Sequence, residues 1–199
     1  MHDRAKIETT EKTVKRAIRK IVVTGPESSG KTMLAQAIAT RFQTPWAPEF
    51  ARYYVANLGR PYSHNDLAVI YQGQKNWETW FLQHMFHSPA PPFLVCDTDW
   101  TVLRIWEQYG YPATASVLPT TDEWELAKDT YYLLCTPDFP WQPDPLREHP
   151  EERWQLFELY RNLLEERHLP FLTVTGSLEN RLEQVAETVP QFFPSHFVR

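Results

Sequence analysis

The chain has 199 residues, room for one domain of ordinary size and too few for two. Apolar residues make up 42% and charged ones 23%, so a core can be buried and wholesale disorder is excluded. The 20 basic against 25 acidic side chains leave a net charge of −5, which speaks against nucleic acid or an anionic membrane as the main partner.

Residues 1–19 are charged and hold no apolar stretch, so they read as an N-terminal extension and not as a secretory signal. No apolar run approaches the roughly eighteen residues that cross a bilayer. The first predicted strand is Ile21–Thr24, apolar without alternation, as in a parallel strand covered on both faces. Directly after it comes Gly25-Pro26-Glu27-Ser28-Ser29-Gly30-Lys31-Thr32, which satisfies GxxxxGK[ST]. A helix over 31–42 follows, with Leu34, Ile38 and Phe42 at fourfold spacing. A strand, this loop and a helix in that order give the pattern its meaning: backbone N–H groups and the helix N-terminus converge on an anion. Gly25, Glu27, Ser28, Ser29, Gly30, Lys31, Thr32 and Met33 are therefore the expected nucleotide-binding residues. Lys31 is expected to reach the β- and γ-phosphates of ATP, and the Thr32 hydroxyl to take a Mg²⁺ position.

A weak strand around Thr44–Ala47 leads into Pro48-Glu49-Phe50-Ala51-Arg52. Glu49 and Arg52 share a face if a helix starts there. Trp46, beside them, is the tryptophan best placed in sequence to stack on a heteroaromatic substrate. A helix over 64–85 follows a capping-box-like Ser63 and Asp66. The strand Phe93–Cys96 ends in Asp97-Thr98-Asp99: Asp97 is placed to hold Mg²⁺, while Asp99 reads as substrate-binding or as the N-cap of a helix Trp100–Gln108. A fourth strand, Tyr131–Cys135, opens onto the proline-rich loop 137–150, whose Arg147, and after it Arg153, would bring positive charge to a transferring phosphoryl group. Helices over 151–167 and 178–189 flank a last strand, Phe171–Val174. Cys96 and Cys135 end apolar runs and read as small buried hydrophobes in a reducing cytoplasm. The histidines show no metal-ligand spacing.

Short buried strands alternating with helices predict an α/β P-loop NTPase, a parallel sheet with helices on both faces and its ligands beyond the carboxyl ends of the strands. The expected organisation is one domain over 1–199, with 137–150 as a lid. Guanine-binding NKxD, a DxxG after the second apolar strand and an LSGGQ signature are all missing. The chain is also short for a P-loop core plus the helical lid of a remodelling ATPase. A small-molecule kinase fits best, because acidic residues at strand ends supply what an acceptor hydroxyl needs: a base within hydrogen-bond reach. Glu49 and Asp97 are the two candidates.

The ordered set GPESSGKT, TPWAPEFAR, LGRPY, YQGQ, CDTD and PDFPWQPDPLRE resembles the ribosylnicotinamide kinase domain of bifunctional bacterial NAD-biosynthesis proteins and their stand-alone relatives, over about Ile21 to Gly176. The resemblance implies a nucleoside-kinase-like fold and ATP- and Mg²⁺-dependent phosphorylation of nicotinamide riboside to nicotinamide mononucleotide. It implies Glu49 as the base, Arg52 as an orienting group, Asp97 and Asp99 as the acidic pair, and Arg147 as the lid arginine. The family's lid carries a glycine before that arginine, whereas Asp144-Pro145-Leu146-Arg147 stands here, which implies a stiffer lid. The nucleotidyltransferase and DNA-binding modules of the bifunctional relatives find no room, so neither activity is expected. Two alternatives stay open: a kinase for another nucleoside or small hydroxyl acceptor, and an ATP-binding regulatory switch acting through a protein partner.

Overall fold

Each of the four strong apolar runs forms the strand it predicts, and the weak one forms a strand of two residues. The computed structural model describes residues 20–85, 93–119, 129–144 and 147–192, together with Trp124 and Ala127. The extension 1–19, Pro145 of the lid and the tail beyond Phe192 lie outside the described residues. In chain order the elements are β1 (Lys20–Thr24), α1 (Lys31–Phe42), β2 (Trp46–Ala47), α2 (Phe50–Leu58), α3 (Asp66–Met85), β3 (Leu94–Asp97), α4 (Trp100–Gly110), β4 (Thr130–Cys135), α5 (Arg153–Glu166), β5 (Phe171–Val174) and α6 (Leu178–Thr188), closed by a 3₁₀ turn, Val189–Phe192.

The sheet is five-stranded in the order β2-β3-β1-β4-β5, and every pairing is parallel. β1 lies at its centre, where Ile21, Val22 and Val23 are wholly buried. Side chains alternate between two cores. Val22, Cys96, Tyr132 and Leu134 pack against α2 to α5, while Ile21, Val23, Val95, Leu133 and Cys135 pack against α1 and α6. Each large apolar side chain so covered contributes roughly 1.5–3 kcal/mol. β2 stays short because Pro45 and Pro48 bracket it and have no N–H to give to a ladder.

Helix α2 is the element least legible in the sequence. Tyr53, Tyr54 and Val55 favour strands, yet the segment is helical from Phe50 until Gly59 takes the left-handed conformation at φ 70°. Its Phe50 and Tyr54 pack onto the α3–α4 side of the core, and that tertiary burial overrides local propensity. Among the described residues no helix is long and apolar enough to cross a membrane. The connections 25–30, 48–49, 98–99 and 136–144 all leave the carboxyl ends of strands, so they gather along one edge of the sheet.

Candidate active site

Gly25 turns the chain out of β1 at φ 130°, and a Cβ there would stand 2.7 Å from the carbonyl oxygen of Cys135. Gly30 is left-handed too, at φ 81°, with the Phe139 ring 2.8 Å from where a Cβ would be. Any other residue would strain the backbone at both places. Between them Ser29 Oγ donates to Pro26 O at 2.7 Å and Lys31 Nζ donates to the same carbonyl at 2.8 Å. The result is a closed loop over the N-terminus of α1, the arrangement that receives phosphates.

At the carboxyl end of β3, Asp97 Oδ2 accepts from Thr32 Oγ1 at 2.6 Å. Asp97 Oδ1 is buried without a hydrogen-bond partner. Burial raises the Asp97 pKa, against the pull of Thr32, Lys31 and Arg52. An orphaned carboxylate oxygen beside a threonine hydroxyl is the donor set a hard divalent cation takes, so the residues present fit Mg²⁺. The next residue, Thr98, is held at φ 65° with its N–H on Val23 O at 2.9 Å. A non-glycine residue there stores roughly 1–3 kcal/mol of strain.

A cavity of about 960 Å³ opens from this loop, and it is lined by all of Gly25 to Met33 and by Glu49, Arg52, Arg147 and Arg181. Glu49 precedes α2, and burial pushes its pKa up to about 6; Lys31 and Arg52 pull it down and Asp97 pushes it further up. Arg52 spans two elements: its Nε lies 3.9 Å from Glu49, and its Nη1 donates to Asp144 of the lid at 2.9 Å. Arg147 Nη1 donates to Gln142 O at 2.6 Å and to Ser28 Oγ at 3.3 Å. Glu27 Oε2 accepts from the N–H groups of Glu148 and His149 at 2.9 and 3.1 Å. The lid thus rests on the phosphate loop. Arg153 Nη1 donates to Phe139 O at 2.7 Å and braces the base of the lid from outside the cavity wall.

Two expected substrate contacts are placed elsewhere. Trp46 pairs with Val95, which turns its side chain to the α1 side of the sheet, where it packs on that core and does not line the cavity. Asp99 is the N-cap of α4 and wholly occupied: Oδ1 accepts from Thr101 N and Oγ1 at 3.0 and 2.6 Å, and Oδ2 from Tyr132 OH and Lys20 Nζ at 3.1 and 3.3 Å. Nothing is left for a ligand.

Other residues are present that the sequence reading missed. Arg181, 1% exposed, donates to Ser29 O at 2.6 Å, Thr136 O at 2.8 Å and Gly176 O at 3.0 Å, and its guanidinium lies 4.7 Å from the Phe139 ring. Its signal in the sequence is an arginine on the apolar stripe Leu178, Leu182, Val185. The second omission is an aromatic wall of Tyr62, Trp106, Tyr109 and Tyr111 on the same cavity. Tyr62 and Trp106 have ring centroids 6.0 Å apart, and Tyr62 OH donates to Glu148 of the lid at 3.2 Å.

The comparisons with known proteins agree with this architecture. A NadR protein in complex with NR has 21% identity and a TM-score of 0.61, covering 87% of this chain and 51% of its own. A NadR protein in complex with NAD and AMP-PNP has 18% identity and a TM-score of 0.56, with 85% of this chain and 49% of its own covered. YorR from Bacillus subtilis, in complex with phosphorylated GDP, has 13% identity and a TM-score of 0.50, covering 90% and 99%. This chain spans about half the length of the two NadR proteins. At these identities the likeness shows a shared fold, and at that level it bears out the resemblance read from the order of the motifs. No curated protein matches the chain. A family model described as an AAA domain matches residues 20–181, the whole stretch from β1 to Arg181. With its phosphate loop between β1 and α1 and its all-parallel five-stranded sheet, the chain belongs to the AAA domain family.

Proposed function

We propose that the protein is an ATP-dependent kinase that transfers the γ-phosphoryl group to the 5′-hydroxyl of nicotinamide riboside, forming nicotinamide mononucleotide and ADP. One observation carries the reading: a single cavity joins the phosphate loop to an aromatic wall, and on that cavity stands the half-buried carboxylate of Glu49, which desolvation pushes up to a pKa of about 6. A nucleotide-hydrolysing switch needs a carboxylate only to activate water, and has no use for an aromatic wall on the same cavity. Phosphoryl transfer to an alcohol that carries a flat ring uses both.

Glu49 is ionised at neutral pH yet basic enough to accept the hydroxyl proton as the oxygen attacks phosphorus. Lys31 and Arg147 spread positive charge over the phosphoryl oxygens, and the loop N–H groups hold the remaining phosphates. Lys31 exchanges the Pro26 carbonyl for phosphate oxygen when nucleotide enters. Thr32 and Asp97 would hold Mg²⁺, which screens phosphate charge when bound. Arg52 orients the acceptor, and the lid, stapled to the loop through Glu27 and Ser28, keeps water from competing with it. The aromatic wall favours a flat, cationic pyridinium ring, because ring faces attract positive charge. The 1–199 chain acts as one kinase unit on a small molecule, and its two buried free thiols, Cys96 and Cys135, suit a reducing cytoplasm.

The test is purified protein with ATP and Mg²⁺ against a panel of nucleosides, ADP release being read together with product mass. Nicotinamide riboside should give the highest kcat/KM, with one mononucleotide formed per ADP. Preference for a purine or pyrimidine nucleoside would replace the substrate. ADP formation independent of every acceptor would replace the kinase with a switch.

A further inference from the structure

Glu49 stands at the residue before a helix, where an acidic side chain ordinarily turns back and accepts from the N–H groups of the first turn. Here it makes no capping hydrogen bond. The start of α2 is held by a different helix. Phe50 N–H donates to Gln74 Oε1 of α3 at 2.8 Å. Because that N–H can only donate, it dictates the orientation of the amide, whose nitrogen donates to Glu78 Oε1 at 3.2 Å. Glu78 is itself held by Lys20 Nζ at 2.8 Å, so Gln74, 3% exposed, is gripped from behind.

The residue beside it completes the grip. Gly73 lies inside the 20-residue helix α3, where glycine is a poor choice for the helix alone. A Cβ at Gly73 would fall 2.0 Å from the Phe50 ring, so only glycine lets that ring lie against the helix. Trp77 meets the ring from one side, edge on, with centroids 5.0 Å apart.

We propose that Gly73 and Gln74 form a clamp on Phe50 that fixes the first turn of α2 and leaves the adjoining Glu49 carboxylate free to serve the acceptor hydroxyl. The proposal rests on the reading of Glu49 as the base. Neither clamp residue lines the main cavity, so both are positioning residues that act through Phe50. Without the Gln74 acceptor, the Phe50 N–H and its neighbours recruit the nearest carboxylate, and Glu49 turns from the cavity onto its own helix.

The experiment compares Gln74→Met and Gly73→Ala, each alone and combined with Glu49→Gln, by kcat, by KM for ATP and nicotinamide riboside, and by melting temperature. Gln74→Met should lower kcat roughly tenfold or more, since small displacements of a reacting group are costly, with KM for ATP nearly unchanged. On the Glu49→Gln background the same change should cost less than about twofold, because the group it positions is already gone. Gly73→Ala should lower kcat and lower the melting temperature by a few degrees, because the overlap with the Phe50 ring outweighs the better helix propensity of alanine. Its loss of kcat should likewise shrink on the Glu49→Gln background. That variant carries the test even if Gln74→Met fails to fold. Wild-type kcat in both clamp variants, or equal losses with and without Glu49, would overturn the clamp while leaving the base in place. Full turnover by Glu49→Gln alone would overturn the base assignment, and the positioning role with it.

Discussion

Replacing Glu49 by glutamine should make the protein more stable and nearly inactive at once. Burial raises the Glu49 pKa from its ordinary 4.5 to about 6, so the folded protein holds an ionised group in a place that prefers the neutral one. That rise is worth about 2 kcal/mol. Below pH 4.5 the carboxyl is protonated in both folded and unfolded chains, and it costs nothing. Between 4.5 and about 6 the unfolded chain ionises first and stability falls; above about 6 the full penalty applies. Glutamine resembles the protonated acid and escapes the penalty. At pH 8 the variant should gain up to about 2 kcal/mol, or roughly 4–8 °C in melting temperature for a chain of this size. The gain should vanish near pH 4. Phosphoryl transfer should fall by roughly a hundredfold or more, as for other lost general bases, with ATP binding retained. Urea denaturation at the two pH values, beside single-turnover transfer, checks both halves. A variant as stable as the parent at pH 8, or less so, would refute the claim that Glu49 sits under strain; retained turnover would refute its role.

Three further outcomes follow from the site. Lys31→Ala should abolish transfer, and an active Lys31→Ala protein would remove the phosphate assignment. Asp97→Asn keeps the contact with Thr32 but weakens the cation site, so the Mg²⁺ concentration needed for half-maximal rate should rise at least tenfold, roughly the loss of one charged ligand interaction, as an activity titration would show. Arg181→Met leaves the carbonyls of Ser29, Thr136 and Gly176 without their donor, and should cost about 3 kcal/mol or more by urea denaturation, with weaker ATP binding by calorimetry.

How much of this could be read from the chain depends on how far apart the cooperating residues lie. The phosphate loop is eight consecutive residues between a buried strand and an amphipathic helix, so its purpose is local and its pattern sufficient. The same holds for the four apolar runs, whose lack of alternation implies cover on both faces, and for Asp97, placed at a strand end by its position alone. Trp46 misled because adjacency in sequence to Glu49 says nothing about side: in a strand two residues long, its pairing with Val95 sends the ring to the opposite core. Asp99 misled because Lys20 and Tyr132 reach it from 79 and 33 residues away and, with Thr101, leave it no free valence.

The order of strands and helices, the phosphate loop and the presence of acidic groups near it were thus written in local pattern, because hydrophobic periodicity and glycine conformation act over a few residues. What remained for the folded chain to decide was which of those groups face one another. Arg181 meets Ser29 across 152 residues, the aromatic wall is assembled from the α2–α3 loop and α4, and the base-bearing turn is gripped from another helix by Gln74. Contacts of that range are products of packing, and no short stretch of sequence contains them.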